Sequence, residues 1–404
     1  MSLVACETPP RIEPFSEQTP IEVSVVMPCL NEADTLAICI AKARQALADA
    51  GIPGEVVVAD NGSTDGSQEI ARRAGARVVE VAARGYGEAL KGGIAAARGA
   101  FVVMGDADDS YDFLELPKFV EKLRAGYDLA QGCRLRSGGG RIRRGAMPVL
   151  HRWWGNPMFS WLARSWFRAP THDVHCGMRG FTRVLYDGLE LRCTGMEFAS
   201  EMVIKAALAA AAISEVPITL RRDQRVTRSS HLRTFRDGWR HLRFYLLYSP
   251  RWLFLVPGVV LVLLGALGFT LALPGARVAG AELDVNALLF SSLFVILGYQ
   301  SVIFAILTKA FAVAEGLMPM SRNVERFFAV FTLERGLVAG LAVSVVGFAL
   351  LAAVLAQWWA RDFGPLDYRA TLRLSIPGVM FASLGVQTLL FSFFASILGL
   401  RRRR

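Results

Sequence analysis

The sequence predicts two successive parts: an α/β unit built on a Rossmann-like, mostly parallel sheet, and an all-α transmembrane domain behind it. Three observations predict this. Short apolar runs alternate with helical stretches through residues 21–230, the pattern of a parallel sheet covered by helices on both faces. Four long apolar runs follow residue 251. The composition is also uneven: 53% of the 404 residues are hydrophobic and mean hydropathy is +0.36, an excess concentrated in residues 252–400.

Residues 1–20 are polar and Pro-rich and lack the apolar core of a signal peptide, so they are read as a flexible arm. Residues 22–28 (EVSVVMP) predict a first strand and 32–50 a helix. A second buried strand, 55–60 (EVVVAD), is followed by the turn NGSTDGS and a helix at 66–74. A third strand at 77–81 leads through a Gly-rich turn into a helix at 86–98. A fourth, 101–105, ends at the acidic run GDADDSYD of residues 105–112. The α/β unit is taken to end at 230.

Residues 231–250 place Leu232, Phe235, Trp239, Leu242 and Leu246 among basic residues, the pattern of a helix lying in the membrane interface. The membrane domain, 251–404, holds candidate spans at about 252–273, 287–314, 336–360 and 376–400. Each approaches or exceeds the ~20 residues that a hydrocarbon core of ~30 Å demands. Arg236, Arg240, Arg243 and Arg251 precede the first span, Arg322, Arg326 and Arg335 lie between the second and third, and the chain ends in four arginines. The segment 274–286 sets Arg277 against Glu282 and Asp284; 361–375, with Arg361, Arg369 and Arg373, fits the pattern least. The positive-inside rule then expects both termini and the α/β unit on the cytoplasmic side. The six cysteines show no paired spacing, which suits reduced thiols in a cytosolic unit. The net charge of +10 follows the membrane pattern, which argues against nucleic-acid binding.

In open α/β sheets ligands bind beyond the carboxyl ends of the strands, and Asp60, Asp106 and Asp108 fall there. Two carboxylates two residues apart after a strand suit a hard divalent cation, Mg²⁺ or Mn²⁺, shared with a substrate diphosphate. The bland reading is a helix N-cap with acidic neighbours; for Asp60 it is a plain Asx turn. Asp109 and Asp112 read as supporting or capping residues. His172, His175 and Cys176 lie close in sequence but lack a second ligand pair at zinc spacing. The run 134–154 places Arg134, Arg136, Arg141, Arg143, Arg144 and Arg152 around glycines 138–140. It reads as a phosphate-binding lid hinged at 137–140, or as a basic loop resting on anionic headgroups.

The stretches VVMPCLNEADTL, VVVADNGSTDGS and GDADDSYD, in this order, resemble family-two glycosyltransferases of the GT-A fold. RGYGEALKGGIAAARG (84–99) is similar to their Gly-rich segment and QGCR (131–134) to their GSR element. DVHCGMRGF (173–181) and GMEFASEM (195–202) resemble acceptor-side segments of the polyprenyl-phosphate hexose synthases, the dolichol-phosphate mannose synthase group. The resemblance covers roughly 22–235. It implies inverting transfer of a hexose from a nucleotide diphosphate sugar, GDP-mannose or UDP-glucose, to undecaprenyl or dolichyl phosphate. It also implies that Pro28, Glu32, Asp60 and Asp106 bind the donor and that Asp106 and Asp108 hold the metal. Arg134, Arg179 and Glu201 would serve the acceptor side, Arg134 touching the lipid phosphate. The Gly-x-Ser-Lys element of many relatives is replaced by QRVTRSSHL (224–232), where Arg225 or Arg228 takes the lysine's place. Cys133 stands for the usual serine.

Two rivals use the same sequence. A polysaccharide synthase would carry Gln-x-x-Arg-Trp, but Val149 precedes Arg152-Trp153. A glycolipid transporter or scaffold would need a polar path, and the spans hold almost no charge. Membrane lipids are expected neighbours, and a homo-oligomer is left open.

Overall fold

The computed structural model describes residues 21–224, 234–278, 280–314 and 322–400. The N-terminal arm, Arg225, Arg228, Leu232 and the terminal arginines lie outside the described residues. The chain divides into two compact units between His241 and Leu242, within the stretch read as an interfacial helix.

In the first unit, strand β1 (Val23–Cys29) leads to α1 (Leu36–Asp49), β2 (Gly54–Asp60) to α2 (Ser67–Arg73), and β3 (Arg77–Glu80) to α3 (Tyr86–Ala96). Then come β4 (Phe101–Met104), α4 (Leu116–Arg124), β5 (Leu129–Cys133), the short β6 (Arg141–Ile142) and α5 (Asn156–Phe167). The unit continues through β7 (Arg179–Thr182), α6 (Arg183–Leu189), α7 (Phe198–Leu208), β8 (Ile213–Pro217) and β9 (Thr219–Leu220). Helix α8 (Thr234–Leu247) follows. The first helix starts later than its apolar pattern suggested. Asn31 takes a left-handed φ of 59°, and the Glu32 carbonyl accepts from the Thr35 and Leu36 amides, so 31–35 is a turn.

Seven strands form one sheet in the order β3-β2-β1-β4-β7-β5-β8. All pair in parallel except β7, which runs antiparallel to both β4 and β5. Strand β1 is apolar along its length because both of its faces are covered. Val25 and Met27 join Leu36, Ile40 and Phe119 in one core. Val26 faces the other way, against α3, where a Cβ on Gly93 would lie 2.7 Å from it. Helix α4 buries Leu116, Phe119, Val120 and Leu123, the i, i+3, i+4, i+7 stripe of an amphipathic helix.

The basic segment after β5 differs from the open hinge expected at 137–140. Residues 136–138 form a tight turn, and β6 pairs with β9. A Cβ on Gly140 would sit 2.1 Å from the Cys133 carbonyl, and one on Gly138 2.4 Å from the Cys133 sulfur. Close packing, not freedom, requires glycine there.

Among its described residues the second unit has helices and one small hairpin, β10 (Arg277–Val278) and β11 (Ala281–Glu282). After a π-helical segment at Arg251–Leu255 that runs into the first of them, its helices are α9 (Val256–Ala272), α10 (Val285–Ala314), α11 (Arg322–Val330), α12 (Leu333–Trp359) and α13 (Tyr368–Leu400). Among the described residues four stretches are long and apolar enough to cross a bilayer: Arg251–Ala272, Val285–Ala314, Leu333–Trp359 and Tyr368–Leu398. The last helix begins eight residues before its apolar run, and Arg369 and Arg373 on its first turns pair with Asp284. Small residues set the helix packing. A Cβ on Gly347 of α12 would meet Ala382 of α13 at 2.2 Å, and one on Gly258 of α9 would meet the Gly298 carbonyl of α10 at 2.9 Å. Tyr299 and Thr388 share a 2.6 Å hydrogen bond between α10 and α13.

Candidate active site

The loops that leave β1 and β2 are fastened to each other. The Asn31 amide donates to Ser63 Oγ (2.9 Å), Glu32 to Ser67 Oγ (3.0 Å) and Ala33 to Asp65 Oδ2 (3.0 Å). Pro28 and Cys29 pair in register with Ala59 and Asp60, so Pro28, Glu32 and Asp60 share the carboxyl end of two adjacent strands. Asp60 is buried. It accepts from the Gly62 amide at 3.1 Å, the Ser63 amide at 3.2 Å and Gln68 Nε2 at 2.7 Å, so the Asx-turn role is real. Asn61, which the sequence marks only as a turn residue, reaches the loop after β3: its amide donates to the Val81 and Ala83 carbonyls and its oxygen accepts from Gly85 N.

Asp106 and Asp108 follow β4. The Tyr86 hydroxyl donates to Asp106 Oδ1 at 2.8 Å. Burial first, then the Asp106 charge, push the Tyr86 pKa far up, so this phenol remains a donor. Gly177 closes the other side. A Cβ there would lie 2.7 Å from Asp106 Oδ2, and the Gly177 amide donates to the Tyr111 hydroxyl at 2.9 Å. Asp108 Oδ1 accepts from the Ser110 amide at 3.0 Å. Asp109 and Asp112 have other tasks. Asp109 pairs with Lys42. Asp112 accepts from the Leu114 amide and pairs with Arg221. Tyr86 and Tyr111 were missed as site residues because a buried tyrosine reads as core; their one signal was a place inside the RGYG and DDSYD motifs.

Strand β7 carries the segment 173–179 to this edge, since Arg179 lies in register with Met104 on one side and Gln131 on the other. Arg134, at the end of β5, is buried and held by fully buried Asp173: Nε to Oδ2 at 2.7 Å, Nη2 to Oδ1 at 2.8 Å. Burial opposes the Arg134 charge, but Asp173 outweighs it and raises the pKa further. Nη1 faces the Tyr111 hydroxyl at 3.3 Å, so Tyr111 joins Arg134 to the Gly177 amide, and the charges of Arg134 and Asp106 both act on its phenol. Arg179 is wholly buried, donating to the Ala199 and Cys176 carbonyls; burial lowers its pKa. Glu201 is also buried and accepts from the Arg192 and Cys193 amides and from Lys205 at 2.9 Å. Arg225 and Arg228 fall outside the described residues.

The exposed cations sit elsewhere in the segment. Arg136, Arg141, Arg143 and Arg144, with Ile142, line an open depression of about 560 Å³. Arg152 lies 5.5 Å over the Trp153 ring. The residues once weighed for zinc separate. His172 Nδ1 meets Glu215 at 2.6 Å, the His175 ring lies tilted against His241 with centroids 4.3 Å apart, and burial pushes the Cys176 thiol up to about 12. Among the described residues no group of three His, Cys, Asp or Glu could hold a metal. The two-carboxylate set at the end of β4 does fit an ion that takes its other ligands from a substrate and water.

The description Glycosyl transferase family 2 matches residues 24–189, and Glycosyltransferase family 2 C-terminal transmembrane region matches 306–399. The low-salt glycan biosynthesis hexosyltransferase Agl6 of Haloferax volcanii is 37% identical over 382 residues, 93% of this chain and 89% of that one. The chain belongs to glycosyltransferase family 2. It is therefore a glycosyltransferase with a GT-A, Rossmann-like domain, and an integral membrane protein. The dolichyl-phosphate hexose transferase of the same organism is 36% identical over 208 residues, 51% of this family-2 chain and 86% of its own length. Among solved structures, glucosyl-3-phosphoglycerate synthase from Mycobacterium tuberculosis with Mn²⁺, UDP and glucosyl-3-phosphoglycerate aligns with 56% of this chain and 78% of that one. Its TM-score is 0.42 and its identity 23%.

Proposed function

We propose that this family-2 enzyme transfers a hexose from a nucleotide diphosphate sugar to a polyprenyl phosphate, with inversion, at the cytoplasmic membrane face. The observation that carries the proposal is the meeting of two kinds of group at one sheet edge. Asp106 and Asp108 stand at the end of β4, and Tyr111, whose phenol feels the charges of both Asp106 and Arg134, bonds Gly177 and the buried Arg134–Asp173 pair at the end of β5. Pro28, Glu32 and Asp60 bind the nucleoside side of the donor. Asp106 and Asp108 would hold Mg²⁺ or Mn²⁺, which neutralises the diphosphate as it leaves.

A phosphate acceptor is anionic at neutral pH and needs no strong base to attack. It needs cations that bring it to the donor and hold it in line. In this reading Arg134 supplies the fixed cation and Arg136, Arg141, Arg143 and Arg144 the entry path. Arg179 and Glu201 act from inside by holding the 176–201 wall in shape. The cytoplasmic orientation follows the arginines before the first span and between the second and third. The names of the two Haloferax relatives support hexose and dolichyl phosphate as substrate classes.

The test is transfer by the purified enzyme, with radiolabelled GDP- and UDP-sugars, polyprenyl phosphate and Mg²⁺ or Mn²⁺. Label should enter the lipid only with metal, and Asp108→Ala should lower the rate by about 10²-fold or more in folded protein. Failure of every donor on lipid phosphate, or near-normal activity of Asp108→Ala, would overturn the reading.

A further inference from the structure

Helix α10 packs on α9 and α13 through one face, which buries Leu288, Ser291, Ser292, Gly298, Ala305 and Ala310. Its opposite face is largely exposed and has a regular period. Phe290, Leu293, Leu297, Gln300, Phe304, Leu307 and Phe311, all exposed except the half-buried Leu307, follow one another at steps of three, four, three, four, three and four residues. That is the 3.5-residue spacing of a supercoiled helix seam. From Phe290 to Phe311 the seam rises about 31 Å, the full hydrocarbon thickness.

Lipid alone covers an apolar face well, so exposure by itself says nothing. Gln300 changes the case. It lies at the middle of the Val285–Ala314 span and is exposed, whereas the neighbouring Tyr299 turns inward and is satisfied by Thr388. The acyl chains at mid-bilayer offer a carboxamide neither donor nor acceptor, and the side chain is too short to reach either headgroup layer. A primary amide is self-complementary: it donates and accepts through the same group. A single polar residue at a heptad position is also a known device for fixing register and partner number.

We infer that α10 is a homodimer seam in which Gln300 of one protomer hydrogen-bonds Gln300 of its partner at mid-bilayer. The occupant of this face is thus a second copy of this chain, supercoiled left-handed about the first. This seam lies outside the transfer site, and the inference stands whether or not the proposed reaction is correct.

The experiment uses the full chain reconstituted in liposomes at high lipid-to-protein ratio. Leu293→Cys, Leu297→Cys and Phe304→Cys are oxidised one at a time, with Val338→Cys, exposed on α12, as the off-seam control. The unsubstituted chain, whose own cysteines all precede residue 200, gives the background. Seam positions should cross-link to dimers and Val338→Cys should not. Energy transfer between labelled copies should show Gln300→Leu weakening association by roughly three- to twenty-fold, as expected for one interhelical polar pair in a bilayer, and Gln300→Asn retaining most of it. No cross-link along the seam, or equal cross-linking at Val338→Cys, overturns the dimer. Association unchanged within twofold in Gln300→Leu overturns the amide's part in it.

Discussion

Asp173 ties the proposed acceptor-side cation, Arg134, into the core. It is fully buried and holds the guanidinium of Arg134 through two hydrogen bonds and the Arg134 amide through a third. Removing one partner of such a pair leaves an unmatched buried charge and costs about 3–5 kcal/mol. Asp173→Ala should therefore unfold at clearly lower denaturant. Replacing both, Arg134→Met with Asp173→Leu, should recover much of that stability, since a buried pair adds little over apolar packing. Transfer should stay abolished in the double variant if Arg134 works on the acceptor; recovered transfer would reduce the pair to a structural clip. At this scale the sequence was readable in the position of its charges. Asp106 and Asp108 lie at the end of β4 as their spacing implied, and Asp109 and Asp112 fell to Lys42 and Arg221. Tyr86, Tyr111 and Asp173 were not readable as site residues, because their meaning depends on contacts between residues up to 66 positions apart.

The elements β1 to β4 with α1 to α3 were legible because each is a local pattern: a short apolar run, a turn, an amphipathic stretch. The antiparallel β7 was not. Its four residues, RGFT, carry no marker of direction, and only pairing with β4 and β5 reveals it. Helix α7 teaches the same lesson through Glu201. Resemblance assigned it to the acceptor side, while its carboxylate holds the loop at Arg192–Cys193 and Lys205. Burial alone would raise its pKa, but the two amides and Lys205 win and hold it below the ordinary 4.5. A depressed carboxylate stabilises the fold above its unfolded pKa, and that stability is lost as pH falls through the lower folded value. Glu201→Gln should accordingly cost about 3 kcal/mol at pH 7. The deficit against the parent should shrink as pH drops below 4.5 towards the folded pKa. A deficit that stays constant across that range in denaturant titrations would show that the carboxylate charge is not what holds the loop.

For the molecule as a whole, hydropathy made the four spans legible, since about 20 apolar residues have few other uses. The surface of the catalytic unit was less open to reading, because an exposed aromatic and a core aromatic look alike in sequence. Residues 149–167 are continuously helical. Leu150, Trp153, Trp154, Met158 and Trp161 are exposed along one stripe, Trp154 to 72%, with Arg152 over the Trp153 ring, a few residues after Arg136, Arg141, Arg143 and Arg144, which line the depression. Tryptophan and arginine together suit the headgroup layer, where an indole finds an apolar side and a wet side and a guanidinium finds phosphate. A stripe seated there would present the arginine-lined depression at the depth of a polyprenyl phosphate. The spans already anchor the protein, so the stripe would act on acceptor capture and not on membrane attachment. Replacing Trp153 and Trp154 by Ser together should raise KM for the lipid substrate by roughly tenfold, about 1.4 kcal/mol. This is less than the 1.5–3 kcal/mol of fully burying one large apolar side chain, as befits rings only part inserted. KM for the nucleotide sugar should stay within about twofold. Equal rises in both would mean that the change had distorted the site. If neither KM moves, the stripe has no part in presenting the acceptor.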